Sequence, residues 1–353
     1  IPAIAATVGV LVDAFVPRAV RWSAQTVVAL LGLIGTLVAV GVLAGTHHVT
    51  AAGAVVVDGP TLFLQGTIAI LGIGSVLLVS DRSAALDGGA FVAQAATAPG
   101  SKEERAGTIA GHAQTEIFPL MMFAVTGMML FPAANDLLLM FVALEVLSLP
   151  LYLMAGLARR RRLLSQEAAL KYFLLGAFAS AFFLYGLALL YGYANSVDLS
   201  AIFTATRTST KSDTLLYRGL ALLLVGLLFK ASFAPFHAWT PDVYQGAPSP
   251  VSAFMASCTK VAAFGAILRV LYVAFSGTNW NWRPVIWAVA IASMVVGAIL
   301  GLTQTDIKRI LAYSSIAHAG FILVGLVVIS KEASASVMFY VLMALRARLR
   351  EED

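Results

Sequence analysis

Apolar segments long enough to cross a lipid bilayer recur along almost the whole chain. A hydrocarbon core about 30 Å thick needs about 20 apolar residues in a helix. Ten such segments lie at 25–44, 61–80, 115–134, 136–157, 167–193, 214–233, 249–275, 284–303, 307–329 and 333–345, and a stub at 1–12 resembles the end of an eleventh. The sequence therefore predicts an all-α polytopic membrane protein with about 11 spans, forming a single membrane domain over residues 1–353.

The composition excludes a soluble protein and several kinds of site. The chain is 60% hydrophobic and 12% charged, whereas soluble domains are about half apolar and a quarter charged. A single cysteine, Cys258, provides neither a disulfide framework nor an iron–sulfur or zinc site. The longest loop, 81–110, has no glycine-rich phosphate loop and is interpreted as a flexible connector. We therefore expect no nucleotide, metal or redox cofactor in this chain.

Basic residues are concentrated in alternate loops between the apolar segments. Fourteen of the 23 Lys and Arg side chains, including the run 159–162, lie in one set of loops, and five lie in the other set. Cytoplasmic loops carry an excess of Lys and Arg, so we expect the first set to be cytoplasmic and the first residue to lie outside. Because the charge belongs to short loops, it does not predict a nucleic-acid partner.

Three charged residues lie deep inside apolar segments: Glu145, Lys230 and Lys260. A charge at the centre of a bilayer costs about 2.5 kcal/mol or more, and is retained where it is paired, hydrated or used for transport. We interpret these groups as a path for ions, most simply protons. Lys171 lies near the cytoplasmic end of its segment, where anchoring at the interface is an equal alternative. Arg269 lies nearer the outer end and is expected to snorkel.

A break is predicted in the helix that carries Lys230. The segment 214–246 would be about 50 Å long as one helix, and Pro235 and Pro241 interrupt it. Broken helices at membrane depth mark ion sites in transporters. His237 after the break and His318 in a later span are candidate relays, because histidine titrates near neutral pH. Purely structural roles for both histidines, and a helix–helix hydrogen bond for Glu145, remain alternatives.

Three motifs contain or adjoin the buried charged and histidine residues. The first is Phe-Lys-Ala-Ser-Phe-Ala-Pro-Phe-His-Ala-Trp-Thr-Pro-Asp-Val-Tyr-Gln-Gly-Ala-Pro-Ser-Pro at 229–250. The others are Thr-Gln-Thr-Asp-Ile-Lys-Arg-Ile at 303–310, continuing to His318, and Leu-Glu-Val-Leu-Ser-Leu-Pro at 144–150. These motifs resemble the antiporter-like membrane subunits of respiratory complex I, the proton-translocating NADH-quinone oxidoreductase, and the first is similar to the broken seventh helix of that family. The residues at 241–248 resemble the bacterial subunit N group within the family.

The resemblance implies fourteen helices with two inverted five-helix repeats, each containing a broken helix. The N-terminal spans and cytoplasmic loop would occupy 1–110, the first repeat 111–275, and an incomplete second repeat 284–345. The family's helix-five glutamate and its lysines on helices six, seven and eight fall on Glu145, Lys171, Lys230 and Lys260, and His237 matches its histidine after the break. The sequence departs from the family near 344, which we interpret as an incomplete chain joined across an omitted segment.

The implied function is proton translocation across the bacterial plasma membrane. A proton from the cytoplasm would load Lys230, and separation from Glu145 would release it through His237 towards Lys260. The expected partners are neighbouring membrane subunits, the surrounding membrane lipids and, indirectly, the peripheral redox arm. NAD, FMN, iron–sulfur clusters and quinone are expected in these partner subunits. Alternatives are a subunit of a cation/proton antiporter or membrane-bound hydrogenase, and a structural scaffold. A weaker alternative is a quinone slot lined by Trp239 and Tyr244.

Overall fold

The computed structural model describes residues 1–81, 89–93, 95–109, 114–208, 212–328, 330, 335, 336 and 338–340. Within these residues the regular secondary structure is helical apart from one short hairpin, in which β1 (His48–Thr50) pairs antiparallel with β2 (Val55–Val57). The helices are α1 (Pro2–Phe15), α2 (Arg18–Val42), α3 (Gly59–Ser80), α4 (Lys102–Ile109), α5 (Ile117–Leu130), α6 (Leu137–Ala155), α7 (Arg162–Ala194), α8 (Leu199–Thr208), α9 (Thr214–Ala231), α10 (Trp239–Gly246), α11 (Ser249–Phe254), α12 (Lys260–Arg269), α13 (Asn279–Leu302) and α14 (Ile307–Val328).

The predicted all-α membrane class is confirmed. In the part of the chain that the structure describes, eight helices are long and apolar enough to cross a membrane. Two shorter apolar helices, α1 and α5, coincide with the stub at 1–12 and the segment 115–134. Most of the predicted segment 333–345, and the junction near 344, lie outside the described residues.

One helical segment runs through the centre of the bundle. A π-helical turn, Met255–Thr259, joins α11 to α12, and a second π-helical turn follows at Val270–Ala274. The segment comprises Ser249–Ala274, and 94% of its apolar stretch of 18 residues is buried. The corresponding share is 28% for α2 and 28% for Ser276–Leu302, which includes α13. The segment packs against α3 and α9. Side chains on α12 therefore face protein, whereas α2 and α13 lie on the outside.

Glycines bring α7 and α9 into close contact. A Cβ atom at Gly186 of α7 would lie 2.5 Å from the backbone nitrogen of Leu223, and one at Gly226 of α9 would lie 2.7 Å from Cβ of Phe183. Small residues at helix interfaces in membranes allow such close backbone packing. The face of α7 that carries Phe183 and Gly186 therefore lies directly against the half of α9 that carries Lys230.

The predicted break separates α9 from α10. The left-handed conformation of Ser232, with a φ of +67°, ends α9 directly after Ala231. Pro235 lies within the irregular residues 232–238, as predicted. Pro241 lies instead in the first turn of α10, where proline is tolerated because the first N–H groups of a helix have no partner within it. The break therefore ends before Pro241.

The loop 81–110 is not simply a flexible connector, and this prediction was wrong for its described part. Its residues 102–109 form α4, and Val92 donates a backbone hydrogen bond to the carbonyl of Leu157 at 3.0 Å. Arg162 binds Glu104 at 2.6 Å and the carbonyls of Ala95 and Thr97 at 2.6 and 2.8 Å. Arg162 is also buried. Its role is thus to hold this loop on the start of α7, in addition to any effect on topology.

Candidate functional site

Lys230 lies buried in the last turn of α9, with 3% of its surface exposed. Its ammonium group donates hydrogen bonds to the hydroxyls of Ser148 at 2.8 Å and Tyr172 at 3.0 Å. The Nζ atom also lies 5.7 Å from the ring centre of Tyr152 and 5.1 Å from that of Tyr172. A cation is attracted to an aromatic face at such distances. Two hydroxyls and two rings therefore replace part of the water that this charge loses.

Glu145 belongs to the same stripe of α6 as two of these ligands. Residues three, four and seven positions apart share a helix face, and Glu145, Ser148 and Tyr152 follow this spacing. Glu145 forms no ion pair with Lys230 within 4 Å among the described residues. Its Oε1 atom is buried and has no hydrogen-bond partner. The site thus contains a carboxylate acceptor that Lys230 does not use in this arrangement.

An aromatic cluster surrounds the lysine. The rings of Tyr172 and Trp239 stack with centroids 4.5 Å apart and an interplanar angle of 6°, and Tyr152 meets Tyr172 edge-on at 4.6 Å. The indole of Trp239 donates to the carbonyl of Phe229 at 3.0 Å. A Cβ atom at Gly176 would lie 2.1 Å from the Tyr152 hydroxyl, so the glycine leaves the space that this tyrosine occupies. α10 is thereby fastened to the end of α9 across the break.

A small cavity of about 10 Å³, enough for about one water molecule, adjoins Lys230. We call it the lysine cavity, and its lining consists of Leu144, Ser148, Tyr152, Gly176, Ala179, Ser180, Gly226, Phe229 and Lys230. The polar atoms of this lining come from α6, α7 and α9, which meet here. Its walls are otherwise apolar, so electrostatic interactions inside it are stronger than in water.

Lys171 occupies a different place from Lys230. It is 45% exposed and pairs with Glu167 at 2.7 Å and with Asp242 of α10 at 3.0 Å. Asp242 also pairs with Arg309 of α14 at 2.7 Å. These residues border a depression of about 50 Å³, the surface cleft, which is lined by Leu164, Glu167, Ala168, Lys171, Asp242 and Gln245. The ion pairs join α7, α10 and α14 at the end of the bundle near the arginine run.

Sequence comparison identifies the family of the chain that carries this site. Residues 134–346 match the family described as NADH:quinone oxidoreductase/Mrp antiporter, transmembrane. The chain belongs to this family. NADH-quinone oxidoreductase subunit N of Acidothermus cellulolyticus is 65% identical over 336 residues, which is 95% of the chain and 64% of that relative. The predicted resemblance to the subunit N group is therefore confirmed, and the chain spans slightly less than two thirds of this relative's length.

Solved structures share the fold. A chain of respiratory complex I from Thermus thermophilus with bound aureothin is 36% identical, with a TM-score of 0.77, over 99% of this chain and 68% of that one. A chain of the Mrp complex from Dietzia sp. is 22% identical, with a TM-score of 0.78, over 99% and 62%. The second likeness shows the fold alone. The antiporter-like membrane bundle predicted from the motifs is thus confirmed.

Lys260 forms a second buried site in this antiporter-like bundle. It is the first residue of α12 after the π-helical turn and has 3% of its surface exposed. Its ammonium donates to the carbonyl of Ser315 at 2.8 Å and also contacts the Ser315 hydroxyl. π-helical turns occur frequently at functional sites. Lys260 is therefore bound to the helix that carries His318, three residues beyond Ser315.

Both candidate histidines lie at α14: His318 belongs to this helix, and His237 faces it from the break. His237, in the break, faces the ring of Tyr313 at 6.3 Å, and its buried Nδ1 has no hydrogen-bond partner within 3.5 Å. His318 contacts the hydroxyl of Tyr340 through Nδ1 at 2.6 Å. No hydrogen bond joins His237 to Lys230 in the described part of the chain. A direct relay between these two groups therefore requires movement or an intervening group.

The expectation for Arg269 was wrong. Its side chain does not reach for the interface but is 8% exposed and pairs with both oxygens of Asp58 at 2.9 Å. The aromatic pair suggested as a quinone slot is also buried: Trp239 and Tyr244 pack against each other, with centroids 6.3 Å apart. They form part of the interface beside the break. Within the described residues no group of three or more His, Cys, Asp or Glu side chains could hold a metal ion.

Sequence reasoning missed the ligands of Lys230. Ser148 and Tyr152 carried a usable signal, because they continue the helical spacing from Glu145. Tyr172 directly follows Lys171, and only its position about 100° further round the helix distinguishes it as the buried one. No local pattern indicates that this tyrosine faces α9.

Proposed function

We propose that this chain is a proton-translocating membrane subunit of a bacterial NADH-quinone oxidoreductase. Its place would be the plasma membrane, with the arginine run 159–162 on the cytoplasmic side and residue 1 outside. One observation carries the proposal. Buried Lys230 is held by neutral hydroxyls next to Glu145, whose buried carboxylate oxygen has no partner. One lysine therefore has two alternative sets of acceptors.

The two arrangements differ in how firmly Lys230 holds a proton. An opposite charge within about 4–6 Å favours the ammonium form, whereas neutral acceptors favour it less. Each unit of altered proton affinity corresponds to about 1.36 kcal/mol. Exchange of Lys230 between Glu145 and the hydroxyls of Ser148 and Tyr172 can therefore move the lysine between its protonated and unprotonated states.

The proposed route begins at the surface cleft and leads to Lys260. Lys171 takes part at the entrance, since it lies exposed beside Glu167 and Asp242. Lys230 is the first buried station and Lys260 the second. His237 and His318 are proposed relays, because α14 carries Tyr313 opposite His237 and Ser315 against Lys260.

The energy for transfer would come from partner subunits. The relatives and the Thermus structure name NADH-quinone oxidoreductase and respiratory complex I. We infer that neighbouring membrane subunits, and indirectly a peripheral arm holding NAD, FMN, iron–sulfur clusters and quinone, drive the movement of charge beside Lys230. In this proposal the chain contributes proton transfer to a translocase and no redox step of its own.

The test replaces the two groups of the pair in the assembled complex. Lys230→Ala and Glu145→Gln are expected to lower the number of protons pumped per quinone reduced in proteoliposomes, because each removes one partner of the exchange. Arg218→Gln is a matched control, since this cation lies exposed on the same helix as Lys230. Wild-type pumping ratios in both variants would refute the proposed route and favour a structural scaffold.

A cation/proton antiporter subunit, or a membrane-bound hydrogenase subunit, is the second candidate. The shared fold with the Mrp complex supports it, whereas the higher identity to the complex I chain favours the first. Purification of the native assembly distinguishes them: copurifying NADH-oxidising subunits support the oxidoreductase. An assembly without them that exchanges sodium for protons supports the antiporter.

A further inference from the structure

Tyr172 lies between the surface cleft and the lysine cavity. On α7 the cleft is lined by Leu164, Glu167, Ala168 and Lys171, and the cavity by Gly176, Ala179 and Ser180. Along α7, the centre of the residues that line the cleft is about 16 Å from the centre of the residues that line the cavity, at 1.5 Å per residue. Tyr172 falls in the interval and is fully buried. A proton or water that passes from the cleft to Lys230 along α7 meets this ring.

The ring is held firmly in that position. Trp239 stacks on one face of Tyr172, Tyr152 meets it edge-on, and the Trp239 indole is anchored to the Phe229 carbonyl. Trp239 is the first residue of α10, and Asp242 in the next turn borders the cleft. The Tyr172–Trp239 pair therefore joins α7 to α10 close to the residues that line the cleft.

Tyr172 also binds Lys230 directly. It accepts a hydrogen bond from Lys230 at 3.0 Å, and the ring face lies 5.1 Å from the same ammonium. Both interactions favour the charged lysine over the neutral amine. The same side chain thus stabilises the proton on Lys230 and lies, along α7, between that lysine's cavity and the cleft.

We propose that Tyr172 is a positioning residue and gate for Lys230, a conclusion that rests on the proposed function above. While Tyr172 is stacked on Trp239, protonated Lys230 is held and its cavity is separated from the cleft. Displacement of the ring from Trp239 opens the cavity to the cleft and removes one acceptor from Lys230. Opening and release of the lysine are therefore coupled through one side chain.

The first experiment concerns the acceptor. Tyr172→Phe keeps the ring and removes the hydroxyl, so the charged lysine loses a hydrogen bond and releases its proton more readily. On the alkaline side of the pH profile, the pH at which pumping by the assembled complex falls to half is expected to be lower by about one unit. Tyr185→Phe, an exposed tyrosine on the same helix, should leave the profile unchanged. A merely structural role would reduce pumping without moving the pH midpoint.

The second experiment concerns the barrier and does not require pumping. Cys258 is the single cysteine of the chain, so Cys258→Ala gives a background in which Ser148→Cys places one thiol in the lysine cavity. Labelling with a small cationic methanethiosulfonate, added to the side carrying residues 159–162, is expected to be slow. Adding Trp239→Leu should accelerate it at least tenfold, whereas adding Trp287→Leu, at a partly exposed position on α13, should not.

The outcomes separate the inference from the function on which it rests. A lower pH midpoint for Tyr172→Phe and faster labelling with Trp239→Leu support the gate. An unchanged midpoint overturns the positioning role, and an unchanged labelling rate overturns the barrier. If Lys230→Ala pumps at the wild-type ratio, the proposed function fails, whereas loss of pumping there with a wild-type profile in Tyr172→Phe defeats only the inference about Tyr172.

Discussion

The ion pair between Arg269 and Asp58 is expected to be a strong structural link between the end of α12 and the start of α3. Arg269 donates from Nη2 to both Asp58 oxygens at 2.9 Å and to the Thr61 hydroxyl at 2.7 Å, and from Nε to the Pro132 carbonyl at 2.6 Å. Asp58 also caps α3 by accepting the backbone N–H of Thr61 at 2.9 Å. Three separate parts of the chain therefore depend on one guanidinium group.

The magnitude follows from burial. Breaking a buried ion pair by removing one partner costs about 3–5 kcal/mol, but the Asp58 side chain is 21% exposed, so the lower end applies. We expect Arg269→Ala to reduce the free energy of unfolding by about 3 kcal/mol. Asp58→Ala should cost a similar amount, with about 1 kcal/mol more from the lost helix cap. In the double variant the two effects should overlap by about 2 kcal/mol.

The pH dependence of this overlap has a definite sign. Burial alone would raise the pKa of Asp58, but hydrogen bonds from Thr61 and the charge of Arg269 outweigh it and hold the pKa below its usual range. The folded protein therefore keeps this carboxyl ionised where the unfolded chain binds a proton. The stabilisation is complete above about pH 4, which is the pKa of aspartate in unfolded chains. It is lost as the pH falls through the lower pKa that Asp58 has in the folded protein.

The measurement is a double-mutant cycle on the purified protein in detergent. Tryptophan fluorescence during titration with SDS gives the free energy of unfolding of the wild type, both single variants and the double variant at pH 7 and near pH 3. Arg218→Ala, at an exposed position on α9, is the control. Additivity within about 0.5 kcal/mol at pH 7 would refute the reasoning, since independent sites behave in that way.

Two further variants test the packing around the site. Arg162→Ala should release the docked loop, because it removes three hydrogen bonds; trypsin should then cleave faster at Lys102, while Arg18→Ala should not change this rate. Gly186→Leu should separate α7 from α9, because even a Cβ atom there would lie 2.5 Å from the backbone of Leu223. A loss of about 3 kcal/mol in the free energy of unfolding is expected for this overpacking, and wild-type thermal stability would contradict the described contact.

The spans and the broken helix could be predicted because their signals are local. About 20 consecutive apolar residues have few stable alternatives to a membrane helix, and the helices α3, α6, α9 and α13 lie close to their predicted segments. Pro235 indicated the break for an equally local reason, since proline has no N–H to donate. Pro241 was less informative, because the first turn of a helix also tolerates proline.

The site was only partly predictable. Burial of Lys230 and Lys260 follows from their depth in apolar segments, and the structure places both at 3% exposure. For Lys171 the sequence left anchoring at the interface and a place on the path as equal alternatives, and the side chain lies on the surface beside Glu167 and Asp242. Depth along a helix does not give the direction in which a side chain points, and a helix apolar on almost every side provides little information about its rotation.

The sequence alone is sufficient for the membrane class, the order of the helices and the presence of costly charges among them, because each depends on neighbours along the chain. The partners of those charges depend on the packed bundle. Lys230 meets Tyr172 from a position 58 residues away, and Arg269 meets Asp58 from one 211 residues away. Such pairs form only when close contacts such as Gly186 against Leu223 set the distance and rotation of whole helices, which no local pattern specifies.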